Sequence, residues 1–215
     1  MDQLQAIVDA IGEEFEVKNA VRDETLRRSR QLIRHCANSI RATHRDEFAE
    51  AQALLETARG AAAEMIADTR QHQDLYYAGY TQDGLKELAE AHITYAVVRG
   101  ESLPTPQQLS VESAAYLNGL AEAVGELRRY VLDRLRRGDV AAGERLLAVM
   151  DDVYSLLITV DFPDAITGGL RRNTDMVRGV LERTRGDLTT AVRQEEMKAA
   201  LRAFGQQINV TVEEI

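Results

Sequence analysis

The amino-acid sequence predicts an all-α fold. Helix formers such as Ala, Leu, Glu and Arg fill most of the 215 positions, and only three prolines interrupt them. Strand-like alternation of β-branched residues occurs only in residues 208–212. Together these observations predict a single domain over residues 1–215, built as a bundle of helices with short connections.

Seven helices are predicted, over residues 2–44, 46–68, 75–98, 107–136, 140–160, 163–185 and 188–204. Pro104 and Pro106 follow the third helix, and each proline pushes the residue before it out of the helical region. Gly138 suits a cap at the end of the fourth helix. Pro163 fits the first turn of the sixth helix, where its missing N–H is no loss, and Gly186 is expected to end that helix.

The chain is acidic overall, but its charge is unevenly placed. A net charge of −9 argues against a partner that is held by bulk positive charge alone. Residues 22–45 nevertheless contain seven arginines and two acids, a local balance of +5, which leaves −14 for the remainder. A single cysteine excludes an intrachain disulfide. Because no signal peptide and no membrane-length apolar run are found, we expect a cytoplasmic protein without membrane contact.

The third predicted helix carries two glutamates on the side opposite its apolar stripe. Glu87 and Glu90 lie about one turn apart on that side. Further along the helix, the same side carries the apolar residues Val97 and Val98. This pattern indicates that another element of the protein covers the face that carries the glutamates.

The fourth predicted helix repeats the arrangement with Glu122 and Glu126. The small residues beside them would let another helix approach closely; they are Ala115, Gly119 and Ala123. If the two helices meet on these faces, four carboxylates converge and need protons, arginines or divalent cations. Oxygen ligands without thiols favour Mg²⁺ or Mn²⁺ over Zn²⁺. Glutamate pairs at this spacing are also abundant on ordinary solvated helices, so a structural role is the alternative.

Five arginines of the first predicted helix form one cationic stripe: Arg27, Arg30, Arg34, Arg41 and Arg45. The stripe is about 27 Å long and spans about 60° of the helix surface. Arginine side chains match phosphate geometry, so RNA or single-stranded DNA is a suitable partner. The alternative is a solvated face whose arginines pair with acids on neighbouring helices or subunits.

Several segments in order resemble the translin family. They are RRSRQLIRHCANSIRATHR in the first helix, GLKELAEA, YLNGLAEAVGELRR with a following RRGD, FPDAITGGLRRNTD, and RTRGDL. The likeness covers nearly the whole chain and rests on the order and spacing of these segments rather than on one motif. It is closer to the Trax (translin-associated factor X) branch than to translin itself, and suggests an archaeal-type member.

This resemblance implies a seven-helix α domain and a Mg²⁺-dependent endoribonuclease activity that uses four acidic side chains. The positions of those side chains match Glu87, Glu90, Glu122 and Glu126, which would act as catalytic residues and metal ligands. The Trax pattern has an aspartate where this chain has Glu122. The resemblance also implies a closed, hollow homo-oligomer, such as a hexamer or an octamer.

The sequence therefore predicts an endoribonuclease that uses Mg²⁺ or Mn²⁺ to cleave single-stranded RNA, whose flexible backbone can bend into a helix-lined site. The arginine stripe would hold the strand. Two alternatives are kept. One is a non-catalytic RNA- or single-stranded-DNA-binding protein of the translin kind. The other is an all-α nucleoside triphosphate pyrophosphohydrolase, a class that also pairs Glu-x-x-Glu with a second acidic helix.

Overall fold

The computed structural model describes residues 1–207, and within this range it contains helices and connecting segments without strands. The alternating residues 208–212 lie outside the described residues. The helices are α1 (Asp2–His44), α2 (Phe48–Thr69), α3 (Gln73–Tyr76), α4 (Gly79–Arg99), α5 (Pro106–Leu109), α6 (Ser113–Arg136), α7 (Val140–Leu157), α8 (Asp164–Thr167) and α9 (Leu170–Gln207). The all-α prediction is confirmed.

The described range holds six long helices rather than the predicted seven, and three single turns stand apart from them. These turns are α3, α5 and α8, each of four residues. For example, Pro106 starts α5 after the capping residue Thr105, and Ser110 then adopts a left-handed conformation with φ 56°. The chain therefore leaves the helix before α6 begins at Ser113.

The predicted helix end at Gly186 is wrong, because α9 passes through this residue and runs for 38 residues. A lone glycine costs a helix only about 1 kcal/mol relative to alanine. Buried side chains on both sides of it, including Leu181 and Leu188, anchor α9 on the body and offset that cost. The actual break lies earlier, where Gly168 and Gly169 have φ values of 61° and 87° and separate α8 from α9.

Helix α4 is the central helix of the bundle, with α1, α2 and α6 packed around it. Leu85, Leu88 and Ile93 are fully buried. Val97 and Val98 are also buried, which confirms that the side of the helix opposite the apolar stripe is covered. None of the helices in the described range combines the length and the apolar character that a bilayer crossing requires.

Helices α4 and α6 cross very closely at Gly119. A Cβ atom at this position would stand 2.7 Å from the carbonyl oxygen of Lys86 and 2.9 Å from the Cβ of Ala89. Only glycine, which has no side chain, permits this approach. The expected role of small residues beside the α6 glutamates is thereby confirmed, and the crossing brings the acidic side chains of α4 and α6 together.

Candidate metal and nucleic-acid site

All four predicted glutamates line one cavity of about 410 Å³. Its lining residues are Ala37, Ile40, Arg41, Glu87, Glu90, Glu122, Glu126, Arg129 and Met176. The glutamates come from α4 and α6, while α1 and α9 close the sides. The structure therefore gathers side chains that are up to 39 positions apart in the sequence.

Three of the glutamates are close enough to share a cation. One carboxylate oxygen each from Glu87, Glu90 and Glu122 lies within 4.8 Å of the other two. Oxygen ligands bind Mg²⁺ at about 2.0–2.1 Å, so two oxygens on one ion stand at most about 4.2 Å apart. The spacing observed here is close to that limit. Small side-chain rotations would let the three carboxylates bind one ion.

The cavity holds more negative charge than the surrounding protein balances. Burial, together with the nearby charges of Glu87, Glu122 and Glu126, raises the pKa of Glu90 to about 8. The pKa of Glu87 is also raised, mainly by burial, although the ammonium of Lys86 acts in the opposite direction. A cluster that favours protonation in this way would be relieved by a divalent cation, so the donor set fits such an ion.

Glu126 differs from the other three glutamates because it is paired with a histidine. Nε2 of His44 donates a hydrogen bond to Glu126 Oε2 at 2.5 Å, and this bond lowers the pKa of the carboxylate despite its burial. His44 is buried at the end of α1. Sequence reasoning missed this residue. The available signal was its position eight residues after the core residue Cys36, on the same side of the helix.

Glu122 is also paired, with a lysine that sequence reasoning missed. Nζ of Lys86 donates a hydrogen bond to Glu122 Oε1 at 2.9 Å. Both residues line a neighbouring cavity of about 590 Å³ as well. The positive charge of Lys86 therefore compensates the carboxylate of Glu122 on the side that faces this second cavity. No periodic pattern in the sequence indicates this pairing, because Lys86 and Glu122 lie on different helices.

The predicted arginine stripe has two kinds of members. Arg27 pairs with Glu24 and Arg45 with Glu47, each at 2.5 Å, as the solvated-face alternative expects. Arg41 instead reaches the acidic cavity. Arg30 and Arg34 are exposed, and neither has an ion-pair partner among residues 1–207.

A further arginine, Arg129 of α6, lines the acidic cavity, and sequence reasoning missed it. It follows Glu126 by three residues and therefore lies on nearly the same side of the helix. Together with Arg41 it places positive charge at the edge of the glutamate cluster. This arrangement suits a phosphate group that approaches a cation bound by the carboxylates.

Comparison with known proteins assigns the chain to a family. No protein-family model matches it. An uncharacterized protein of Methanocaldococcus jannaschii, MJ0175, is 29% identical over 211 residues, covering 94% of this chain and 88% of that protein. The crystal structure of AfC3PO is 34% identical with a TM-score of 0.79, covering 87% of this chain and 97% of that one. The chain belongs to the C3PO/translin family.

Two further C3PO structures share the fold. The structure of an AfC3PO–duplex RNA complex has a TM-score of 0.76 at the same 34% identity. Apo-NeC3PO, at 20% identity and a TM-score of 0.78, shares the fold. The resemblance to the translin family is thus confirmed, and the C3PO relatives have the all-helical fold that the sequence predicted. They give no support to the pyrophosphohydrolase alternative.

Proposed function

We propose that this C3PO/translin-family protein is a metal-dependent endoribonuclease of the Trax branch and of archaeal type, assembled as a closed homo-oligomer. One observation carries the proposal. Carboxylates from two crossing helices, represented by Glu87, Glu90 and Glu122, approach within 4.8 Å in a cavity that Arg41 and Arg129 border. Acidic metal ligands beside arginines suit metal-assisted phosphodiester cleavage.

The proposed ligands of Mg²⁺ or Mn²⁺ are Glu87, Glu90, Glu122 and Glu126. The raised pKa values of Glu87 and Glu90 support this assignment, because they indicate negative charge without sufficient compensation. Hard carboxylate oxygens suit either ion. When bound, the ion supplies positive charge that lowers the pKa of a water molecule and offsets charge on the scissile phosphate.

Other side chains of the protein orient the attacking water and bind the phosphate groups. Glu126 is kept ionised by His44, so it can accept a hydrogen bond from the attacking water and orient it. Arg41 and Arg129 bind the phosphate groups on either side of the reacting one. Arg30 and Arg34 extend the basic path along α1 and hold the strand through its backbone without reading its sequence.

RNA is the proposed substrate. Single-stranded RNA suits a helix-lined site because its backbone bends easily, and single-stranded DNA is the proposed second ligand. The relative AfC3PO has been solved in a complex with duplex RNA. Both duplex RNA and single-stranded RNA should therefore be tested as substrates of this protein.

A non-catalytic RNA-binding protein is the second candidate, and a specific observation favours it. Lys86 and His44 already pair with Glu122 and Glu126, so two of the four carboxylates have a partner in the protein. In this case the glutamates would hold α1, α4 and α6 together. RNA would then bind along the arginines without being cut.

The deciding experiment measures cleavage of end-labelled single-stranded and duplex RNA in EDTA, Mg²⁺ and Mn²⁺. The wild type should cut RNA only with metal, and Glu90→Gln and Glu126→Ala should abolish cutting while keeping the helical circular dichroism signal. Glu144→Gln, on an exposed position of α7, is the matched control and should cut normally. If the wild type binds RNA but does not cut it in either metal, the protein is not a nuclease and the non-catalytic RNA-binding function is supported.

A further inference from the structure

The first 17 residues form an arm that projects from the body of the protein. Every one of them is exposed, and Lys18, which pairs with Asp74 at 2.6 Å, is the first residue that the body partly covers. The arm nevertheless carries a row of large apolar side chains, which are 45% to 62% exposed: Leu4, Val8, Ile11 and Phe15. The row is about 17 Å long, taking 1.5 Å per residue. Contiguous exposed apolar surface of this kind marks an interaction site.

The spacing of the row indicates what kind of partner it needs. The four residues follow each other at intervals of four, three and four, which is the heptad spacing of a helix that packs along another helix. Continuing the same alternation along α1 passes through Lys18 and the exposed Arg22 and then reaches Thr25, Ser29 and Leu32, which are buried in the body. The row is thus the extension of the face on which α1 packs against α2 and α4.

No helix of the same chain covers this face along the arm, as far as residues 1–207 are concerned. Helix α2 runs beside the later part of α1 and ends at Thr69, and the following turn reaches only as far as Lys18 through Asp74. Beyond that point the packing face of α1 continues without a neighbour. A helix from another molecule can take the place that α2 occupies next to the body.

We infer that the arm of a second copy of this chain packs on this face in the antiparallel direction, forming a two-helix coiled coil. Leu4 then lies against Phe15 of the partner subunit, and Val8 lies against Ile11 of the partner subunit. The interface is isologous, so the same four residues of each chain serve both sides, as a two-fold axis requires. This inference rests on the homo-oligomer proposed above and names one of its contact surfaces.

Charge distinguishes the antiparallel from the parallel direction. The second half of the arm is the more acidic, with Glu13, Glu14 and Glu16, while the first half has only Asp2 and Asp9. Antiparallel packing sets each acidic half beside the more neutral half of the other arm. Parallel packing would set each glutamate near its own copy, and like charges in register destabilise helix pairs.

The position of the body also favours the antiparallel direction. The body begins at Lys18 on the same face of α1 that carries the apolar row. In a parallel pair, two bodies would compete for the space at one end of the arms. In an antiparallel pair they lie at opposite ends.

The first test uses cysteine pairs and a short bismaleimide cross-linker. The only native cysteine, Cys36, is buried and contributes little background. A mixture of Leu4→Cys and Phe15→Cys chains should give a cross-linked heterodimer several-fold more abundant than the product of either variant alone, because in the antiparallel register each position lies about 16 Å along the arm from its own copy. Efficient self-linking by each single variant would indicate parallel arms and overturn the inference. Absence of any cross-link in an oligomeric protein would overturn it as well.

The second test measures mass by sedimentation velocity at low micromolar concentration. Ile11→Glu should lower the assembly mass by at least half. The matched control, Leu201→Glu, changes an equally exposed residue in a second apolar row near the end of α9, together with Met197 and Phe204. The control should keep the wild-type mass. The reverse result would show that the α9 row makes the contact, and would overturn the inference.

The outcomes separate this inference from the proposed function. If the wild type is oligomeric and Ile11→Glu does not change its mass, the pairing of the arms is excluded and the closed oligomer is not. If the wild type is monomeric at every concentration, both the pairing of the arms and the closed oligomer are excluded. In both cases metal-dependent cleavage of RNA is measured independently and still decides the nuclease.

Discussion

Gly119 of α6 lies against the backbone of Lys86 in α4, so closely that a Cβ atom would stand 2.7 Å from the Lys86 carbonyl oxygen. The contact sits one turn before Glu122 and holds the acidic faces of the two helices together. Backbone atoms cannot rotate away as a side chain can. The geometry of the proposed metal site therefore depends on a residue that binds nothing itself.

Gly119→Ala should destabilise the protein and weaken its metal site. The added methyl group forces α4 and α6 apart, and overpacking of this kind costs about 1–3 kcal/mol. Gly125→Ala in the same helix is the matched control, because nothing lies within 4 Å of a Cβ there and alanine favours the helix. Urea unfolding checks both variants. Equal stability of the two would contradict the close crossing.

Glu90→Gln should make the protein more stable than the wild type in weakly alkaline solution without metal. Because burial raises the pKa of Glu90 to about 8, the folded state binds a proton more tightly than the unfolded state, whose carboxyl titrates near the model value of 4.5. The stability contribution of the proton on Glu90 should thus be fully present below pH 4.5 and be lost as the pH rises towards 8. Each pKa unit corresponds to about 1.4 kcal/mol, so the total effect is at most a few kcal/mol.

Unfolding curves of wild type and Glu90→Gln from pH 5 to pH 9, all in EDTA, measure this effect. The stability difference in favour of the variant should grow with pH. Mn²⁺ at 100 times its dissociation constant should restore about 2.7 kcal/mol to the wild type and much less to the variant. A difference that does not change with pH would contradict the buried, uncompensated carboxylate.

His44→Ala should lower stability by about 1.5–3 kcal/mol at neutral pH, because it removes a hydrogen bond to a charged group. His44→Gln retains a donor and should recover part of this loss. The bond lowers the pKa of Glu126, so its contribution is present above the ordinary carboxyl pKa and is lost as the pH falls through the lowered value. Denaturant unfolding at pH 7 and pH 3 checks both statements. A loss as large at pH 3 as at pH 7 would indicate a packing role alone.

Arg129→Ala should weaken RNA binding without changing the fold. Arg129 is exposed beside the acidic cavity, and removing one phosphate contact should lower the salt dependence of single-strand binding by a slope of about 0.7. Fluorescence anisotropy across a range of salt concentrations measures this slope. Arg193→Ala, an exposed arginine of α9, is the control and should bind as the wild type does. Equal slopes for both variants would exclude Arg129 from the path of the strand.

The sequence predicts much of this site because its signals are local. Glu87 and Glu90 repeat at helical spacing, and so do Glu122 and Glu126, while Gly119 beside the second pair indicates a close helix crossing. Each of these facts depends only on neighbours along one helix. The all-α class follows in the same way from composition and from the scarcity of breakers.

The residues that sequence reasoning missed act over long separations. His44 meets Glu126 across 82 positions, and Lys86 meets Glu122 across 36. No periodic pattern connects such pairs, since only the packing of α1, α4 and α6 brings them together. The continuity of α9 through Gly186 was missed for a related reason, because burial against other helices outweighs the local cost of a glycine.

The anomalous scattering of crystals grown with Mn²⁺ decides whether the acidic cavity binds a metal ion. We expect a peak within ligand distance of the carboxylates of Glu87, Glu90, Glu122 and Glu126, and no such peak in Glu90→Gln crystals. A wild-type map without a peak in the acidic cavity, from crystals that hold Mn²⁺ at saturating concentration, would contradict the metal site and the nuclease built on it.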